Sequence, residues 1–386
     1  MRVALFSGNY NNVLDGANLT LNRLTGYLLA HGAQVRVFSP TVANPAFVPT
    51  GQVVSLPSIP IPGRGEYRLA YRFGQHTKAA LDAFAPNLVH VAAPDITGHA
   101  AKRFARAQGL PVVASFHTRF ETYLSYYGLS ALKTRTTKIA TDFYNGCDHV
   151  YVPSQSAAEA LRQDGVHTPL KRWTRGINAG QFTPALRTDA WRDTVGLARD
   201  VPIVLFVGRL VKEKGLDLFI ATLRTLQQRG TAFQTLIVGD GPERAALSAA
   251  LPAAHFAGHL GREDIAKAYA NADVFFNPSD TETFGNVTLE AMASGLSCLV
   301  SDASGSRDLV VHGENGYLAI ARDVDSHASF LSSLLTNAAL RARFGAESRR
   351  LSLGRSWDAV MAELVGHYRL LVPAAPAVQP VQRVAA

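Results

Sequence analysis

Short apolar runs alternate with amphipathic stretches along almost the whole chain. Residues 2–7 (Arg-Val-Ala-Leu-Phe-Ser) are the first run and predict a strand. Residues 17–31 carry Leu21, Leu24, Leu28 and Leu29 at helical spacing, and Gly32 stands where that helix should stop. A second strand is predicted at 35–38, with further strands at 88–91, 112–116 and 150–152. Between them, residues 57–72 are rich in Pro, Gly, Arg and Tyr and read as a mobile surface loop. A second series starts with the strand at 202–207. It continues through the stretches 235–238, 255–258 and 299–300, with strands read at 272–277 and 316–318 and a helix at 287–293. Helical stretches at 326–336, 340–352 and 356–371 close the pattern, the last with Val360, Leu364 and Tyr368 on one side.

Strand and helix in alternation mean an α/β chain with two Rossmann-like doubly wound β/α/β domains. Trp173, Gly176 and Pro184 mark a crossing, so the domains are expected at 1–178 and 179–355. The last helix, 356–371, is expected to pack back on the first domain, and the Ala-, Pro- and Val-rich tail at 372–386 to be disordered. Two such domains would face an interdomain cleft, a common place for a small ligand.

Composition changes this picture little. The 386 residues are 47% hydrophobic and 18% charged, as in a globular protein with large cores. The apolar start is broken at Ser7-Gly8-Asn9, too early for a signal peptide, and no apolar run approaches membrane-spanning length. Cys147 and Cys298 lie far apart without metal-like spacing and read as small buried residues of a reducing compartment. The expected location is cytoplasmic.

Charge adds more. The net +8 is uneven: up to Asn178 there are 18 Lys and Arg against 9 Asp and Glu, a net of +9, and from Ala179 onward 20 against 21, a net of −1. A one-sided basic half suits an anionic partner, against the plain alternative of solubilising charge. Lys102, Arg103 and Arg106, and Lys133, Arg135 and Lys138, are spaced to form basic helix faces, so the inner face of the plasma membrane is the expected partner. No zinc-finger or other nucleic-acid motif is visible, and nucleic acid is not expected as a partner.

The candidate chemistry centres on residues 278–290. Glu282 leaves the C-terminal end of a predicted strand, where open α/β sheets bind ligands. Phe284, Gly285 and Asn286 stand at the following helix start, where backbone N–H groups and the helix dipole favour a phosphate. Glu290 lies further along that helix as an acceptor for ligand hydroxyls. Arg209 ends one strand, and Lys212-Glu-Lys-Gly215 opens a helix with Lys214 at its N-terminus, the two cations placed to clamp a diphosphate. His117 ends another strand, and the loop behind it, with Tyr123 and Tyr127, is suited to an acceptor. Gly16 begins the first helix beside Asp15. There is no G-x-G-x-x-G, which argues against nicotinamide or flavin. Asp323 and Asp325 read as helix capping, so no metal site and no cofactor are expected. Taken singly, each of these residues has an ordinary structural reading; their order along the chain argues against it.

That order resembles a known family. Gly208-Arg209, Lys214-Gly215, Gly239-Asp-Gly-Pro242, the set Glu282, Phe284, Gly285 and Glu290, and Ser304-Gly-Ser-Arg-Asp308 are similar to the signature of GT-B glycosyltransferases of family 4, the retaining kind. The stretches Trp173-Thr-Arg-Gly-Ile-Asn178, Gln181-Phe-Thr-Pro184 and Gly354-Arg-Ser-Trp357, with Gly366-His-Tyr368, resemble a subgroup of bacterial GDP-mannose-dependent α-mannosyltransferases and sulfoquinovosyl-diacylglycerol synthases. The resemblance covers residues 1–371. It departs at Asp15-Gly16, where many members have Gly-Gly and where Asp15 becomes a candidate acceptor contact, and at Ser304, where Gly is common.

The resemblance implies a metal-independent enzyme moving a hexose, mannose from GDP-mannose first, to a lipid or glycan acceptor. The first domain would be the acceptor side and the second would hold the nucleotide sugar. Arg209 and Lys214 would neutralise the diphosphate. Gly16, Phe284, Gly285 and Asn286 would offer N–H groups, Glu282 and His117 would touch the donor sugar, and Glu290 would hold the ribose. Asp240 and Gly241 mark the turn beside the nucleobase, without an assigned contact. The family's front-face attack lets the leaving phosphate take the acceptor proton. The rivals are a UDP-sugar donor, an epimerase or hydrolase of nucleotide sugars, and a non-catalytic nucleotide-sugar-binding protein.

Overall fold

The computed structural model describes residues 1–61, 64–117 and 133–372. Tyr123, Tyr127 and the tail from 373 lie outside the described residues. Strands β1 (Arg2–Phe6), β2 (Gln34–Ser39), β3 (Gln52–Ser55), β4 (Ser58–Ile61), β5 (Arg64–Ala70), β6 (Leu88–Val91), β7 (Val112–Ser115), β8 (His149–Val152) and β9 (Leu170–Arg172) come first. They are followed by β10 (Ile203–Val207), β11 (Gln234–Val238), β12 (His255–Gly258), β13 (Val274–Asn277), β14 (Ser297–Ser301) and β15 (Gly316–Ala319). One sheet runs β3-β2-β1-β6-β7-β8-β9 and the other β12-β11-β10-β13-β14-β15. By compactness the chain divides into Met1–Ala114 with the residues from Met361 onward, and Ser115–Val360.

The second sheet shows why these residues make parallel strands. Ile203, Leu205 and Val207 of β10 join one core, and Val204 and Phe206 join the other, all buried. β13 and β14 divide in the same way: Phe275, Cys298 and Val300 on one face, Val274, Phe276 and Leu299 on the other. A strand with a period of two and helices on both faces must be apolar throughout, as β10 is. The strand order reverses between β10 and β13, the position at which ligands bind in such sheets. Neither Cys147 nor Cys298 forms a disulfide, and both are buried.

Two readings are corrected. Residues 57–72 are not a plain loop: β4 and β5 pair antiparallel, with Ile59 opposite Leu69 and Pro60 opposite Arg68. Proline is tolerated there because the hairpin has only two strands and both are edges. Arg68 secures it, its Nε donating to Ser58 Oγ at 2.8 Å and its backbone N–H to Asn9 Oδ1 at 3.0 Å. The second correction concerns Lys214. It closes a 3-10 turn, Lys212–Lys214, and the helix Leu216–Gln228 begins only after Gly215, whose φ is +69°. A side chain at Gly215 would also press on the Pro278 carbonyl oxygen at 2.9 Å.

The last helix, Trp357–Leu371, buries Met361, Leu364, Val365 and Tyr368. The Tyr368 hydroxyl lies 2.5 Å from Nδ1 of His90 on β6.

Candidate functional site

Three elements of the Ser115–Val360 unit converge on the loop after β13. Thr283 Oγ1 donates to the carbonyl of His117, just past β7, at 2.8 Å. Ser154 Oγ, which also caps the helix Gln155–Gln163, donates to the Thr283 carbonyl at 2.7 Å. The Gly305 N–H donates to the Glu282 carbonyl at 2.6 Å. Gly305 sits in the 3-10 turn Ser304–Asp308, and a Cβ there would collide with the backbone of Thr283 and Phe284. That turn is held in place by Asp308, whose carboxylate accepts from the Ser156 N–H at 2.9 Å. The loop bearing Glu282 is therefore fixed by backbone and short side chains rather than by long flexible ones.

Glu282 meets Lys214 within this frame. Their Nζ–Oε1 separation is 2.5 Å, and the two side chains are 24% (Lys214) and 13% (Glu282) exposed. Arg209, following β10, lies 3.8 Å from Glu213 and keeps 58% of its side chain exposed. Phe284 is buried in the core, so what it can present is backbone. Gly285 has φ +90°, a left-handed conformation, and opens the helix Asn286–Ala293. The first turn of that helix presents backbone N–H groups at its N-terminus, with exposed Asn286 as first residue.

Two residues that the sequence reading did not single out complete the arrangement. Arg175 is almost fully buried, and its Nη2 donates to His117 Nδ1 at 3.0 Å while Nη1 donates to the Trp173 carbonyl at 2.9 Å. Burial pushes the guanidinium down to about 10, so it remains charged at neutral pH. Tyr269, on the helix Arg262–Asn271, donates from its hydroxyl to Glu290 Oε2 at 3.1 Å. Burial first, and then the Glu290 charge, hold that phenol protonated, well above its ordinary range. Arg175 stands in the predicted domain crossing, and the signal for the Tyr269 helix is its apolar Ile265, Ala266, Ala268 and Tyr269.

Asp15 and Gly16 belong to the other unit. Gly16 is the first residue of the helix Gly16–Ala30, and Asp15 caps it by accepting from the Asn18 N–H at 2.8 Å. Asp323 likewise caps the helix Val324–Thr336, and Asp325 lies 3.5 Å from Arg229.

Left-handed glycine, helix start, cation and carboxylate at a switch point have the chemistry to receive a phosphorylated polyol. Comparison with known proteins gives the family. Residues 14–181 match the family model for Glycosyltransferase Family 4, and residues 187–351 match that for Glycosyl transferases group 1. The GDP-mannose-dependent alpha-mannosyltransferase of Mycolicibacterium smegmatis is 33% identical over 96% of this chain and 98% of its own length. A sulfoquinovosyl transferase of Arabidopsis thaliana is 28% identical over 88% of this chain and 67% of its own. Among solved structures, the sucrose-phosphate synthase of Thermosynechococcus elongatus superposes with a TM-score of 0.81 at 22% identity, covering 96% of this chain and 98% of that one, a likeness of fold. The chain belongs to the GT-B glycosyltransferases of family 4 and is a hexosyltransferase.

Proposed function

We propose that this enzyme transfers mannose from GDP-mannose, with retention and without a metal, to a lipid acceptor at an anionic membrane surface. The observation that carries the site is the pairing of Lys214 with Glu282 beside the Gly285 helix start. The choice of donor is supported by the Mycolicibacterium smegmatis relative, which is named for GDP-mannose and aligns along nearly the whole chain.

In this reading the bond from the sugar's anomeric carbon to the diphosphate breaks, and a bond to the acceptor oxygen forms on the same face. The acceptor proton passes to the departing phosphate, so the protein supplies no nucleophile. Its task is to stabilise the charge that develops on the leaving GDP. Lys214 and Arg209 do so, with the N–H groups of Phe284, Gly285 and Asn286. Glu282 and His117 hold the sugar hydroxyls, and Glu290 holds the ribose. Two cations and a helix start replace the charge a divalent ion would bring. Among the described residues no three His, Cys, Asp or Glu side chains are grouped to bind one.

The membrane part rests on charge. Arg103 and Arg106 are exposed on the helix Ile96–Ala107, and Arg135 and Lys138 on the helix Lys133–Asn145. Among the described residues no helix is long and apolar enough to cross a membrane.

The test offers GDP-mannose, UDP-glucose, UDP-galactose, UDP-N-acetylglucosamine and UDP-sulfoquinovose in EDTA with membrane lipid extract. Released nucleotide and labelled lipid are both measured. GDP release with labelled lipid is the expected result. Turnover of a UDP-sugar alone overturns the donor, loss of activity in EDTA overturns metal independence, and label only in soluble glycan overturns the lipid acceptor. Failure to co-sediment with anionic vesicles at low salt removes the membrane from the reading.

A further inference from the structure

Tyr269 is wholly buried, in the core that also holds Phe275 and Phe182. Its ring stands edge-on to Phe182 at 5.8 Å and tilted against Phe275 at 6.1 Å. A phenol confined in this way has one place for its hydroxyl, and there it meets Glu290 Oε2 at 3.1 Å. A buried hydroxyl without a partner is costly, so a tyrosine rather than a phenylalanine in this core marks a use for the oxygen. Glu290 is only partly buried and sits one turn into the helix Asn286–Ala293. On its own, a glutamate of this kind has three soft torsions and loses rotamer freedom when it binds a ligand.

We propose that Tyr269 is a positioning residue for nucleotide recognition: its hydroxyl fixes the Glu290 carboxylate in the orientation that receives the ribose hydroxyls. Tyr269 does not touch the ligand. It contributes by removing, before binding, the freedom that Glu290 would otherwise lose on binding. An ionised carboxylate has only acceptors, so in this pair the phenol donates. The inference rests on the reading of Glu290 as the ribose partner.

The experiment is a comparison of two ligands by calorimetry, with GDP and 2′,3′-dideoxy-GDP as probes and no acceptor. Wild type, Tyr269→Phe, Glu290→Ala and the double variant are titrated with each. Wild type is expected to prefer GDP strongly. Tyr269→Phe is expected to weaken GDP roughly tenfold, the order expected for losing one charge-assisted hydrogen bond, and to leave the dideoxy ligand within twofold. In the Glu290→Ala background the same substitution is expected to change neither ligand. A general loss of packing would weaken both ligands alike, and that result overturns the proposal. So does a Tyr269→Phe protein that keeps the full preference for GDP while Glu290→Ala loses it. A wild type indifferent to the ribose hydroxyls overturns the Glu290 reading itself, and the inference falls with it.

Discussion

Lys214 Nζ and Glu282 Oε1 lie 2.5 Å apart, a cation and a carboxylate in contact. In the proposed function, a diphosphate at Lys214 competes with that carboxylate. Partly desolvated charges at this distance interact more strongly than in open water. Glu282→Gln keeps the shape and removes the competitor. It is expected to bind GDP about three to tenfold more tightly than wild type, while turnover falls about a hundredfold or more because the sugar contact is lost. Calorimetry with GDP and initial rates with GDP-mannose measure the two effects. Weaker GDP binding by Glu282→Gln would show that the carboxylate supports Lys214 instead of competing for it.

Arg175 and His117 make a second pair. The guanidinium has only donors, so the His117 Nδ1 it reaches at 3.0 Å must accept. The neutral ring then carries its proton on Nε2. Arg175→Met removes that constraint and lets the ring sample both tautomers. The check is a long-range nitrogen–proton spectrum of histidine-labelled protein at pH 8. In wild type the His117 Nδ1 signal is expected to be fully of the unprotonated type, and in the variant an exchange average. Turnover should fall about tenfold, the order of a lost oriented hydrogen bond to substrate. Identical His117 signals in the two proteins would remove this role from Arg175.

Much of this site was legible from single residues, and the reason is physical. Gly285 has a left-handed backbone, and Glu282 and Lys214 lie in the connections that follow β13 and β10, so each carries its position in its own type and neighbours. The alternation of β10 into two cores is equally local. Arg175, Tyr269 and Thr283 are different. Their partners are 58, 21 and 166 residues away, and nothing beside them in sequence distinguishes a used polar atom from an idle one. The β4–β5 hairpin was hidden for another reason: Pro60 and the neighbouring glycines outweighed the alternation of Ile59 and Ile61.

His90 ties stability to pH. It is fully buried against Tyr368, and burial pushes its pKa down to about 3. An unfolded histidine titrates near 6.5, so between these values the unfolded chain binds a proton that the folded one refuses. Stability from this group is thus full above about pH 6.5 and is lost as pH falls through the window, at up to about 1.4 kcal/mol per pH unit. Burial also lowers the pKa of His327, and it adds in the same direction. Urea midpoints from pH 7 to pH 5 should fall, and His90→Gln should flatten the slope even if it lowers the midpoint at pH 7. An unchanged slope in His90→Gln would assign the acid sensitivity to other groups.

Gly305 separates loop geometry from fold stability. Its added Cβ would meet the backbone of Thr283 and Phe284, which cannot turn aside as a side chain can. The Glu282 carbonyl that Gly305 holds at 2.6 Å would be pushed away, and the Glu282 side chain with it. Gly305→Ala is therefore expected to cost about 1–3 kcal/mol of stability, the ordinary range for local overpacking. Activity should fall far more, about a hundredfold or beyond, because catalytic groups tolerate little displacement. Gly366→Ala is the contrast. Gly366 lies inside the helix Trp357–Leu371 with nothing within 4 Å of its Cβ position. There alanine should raise stability by about 0.5–1 kcal/mol and leave turnover unchanged. Thermal melts and initial rates on both variants decide it: a Gly305→Ala enzyme with wild-type rates would place the 304–308 turn outside the donor site.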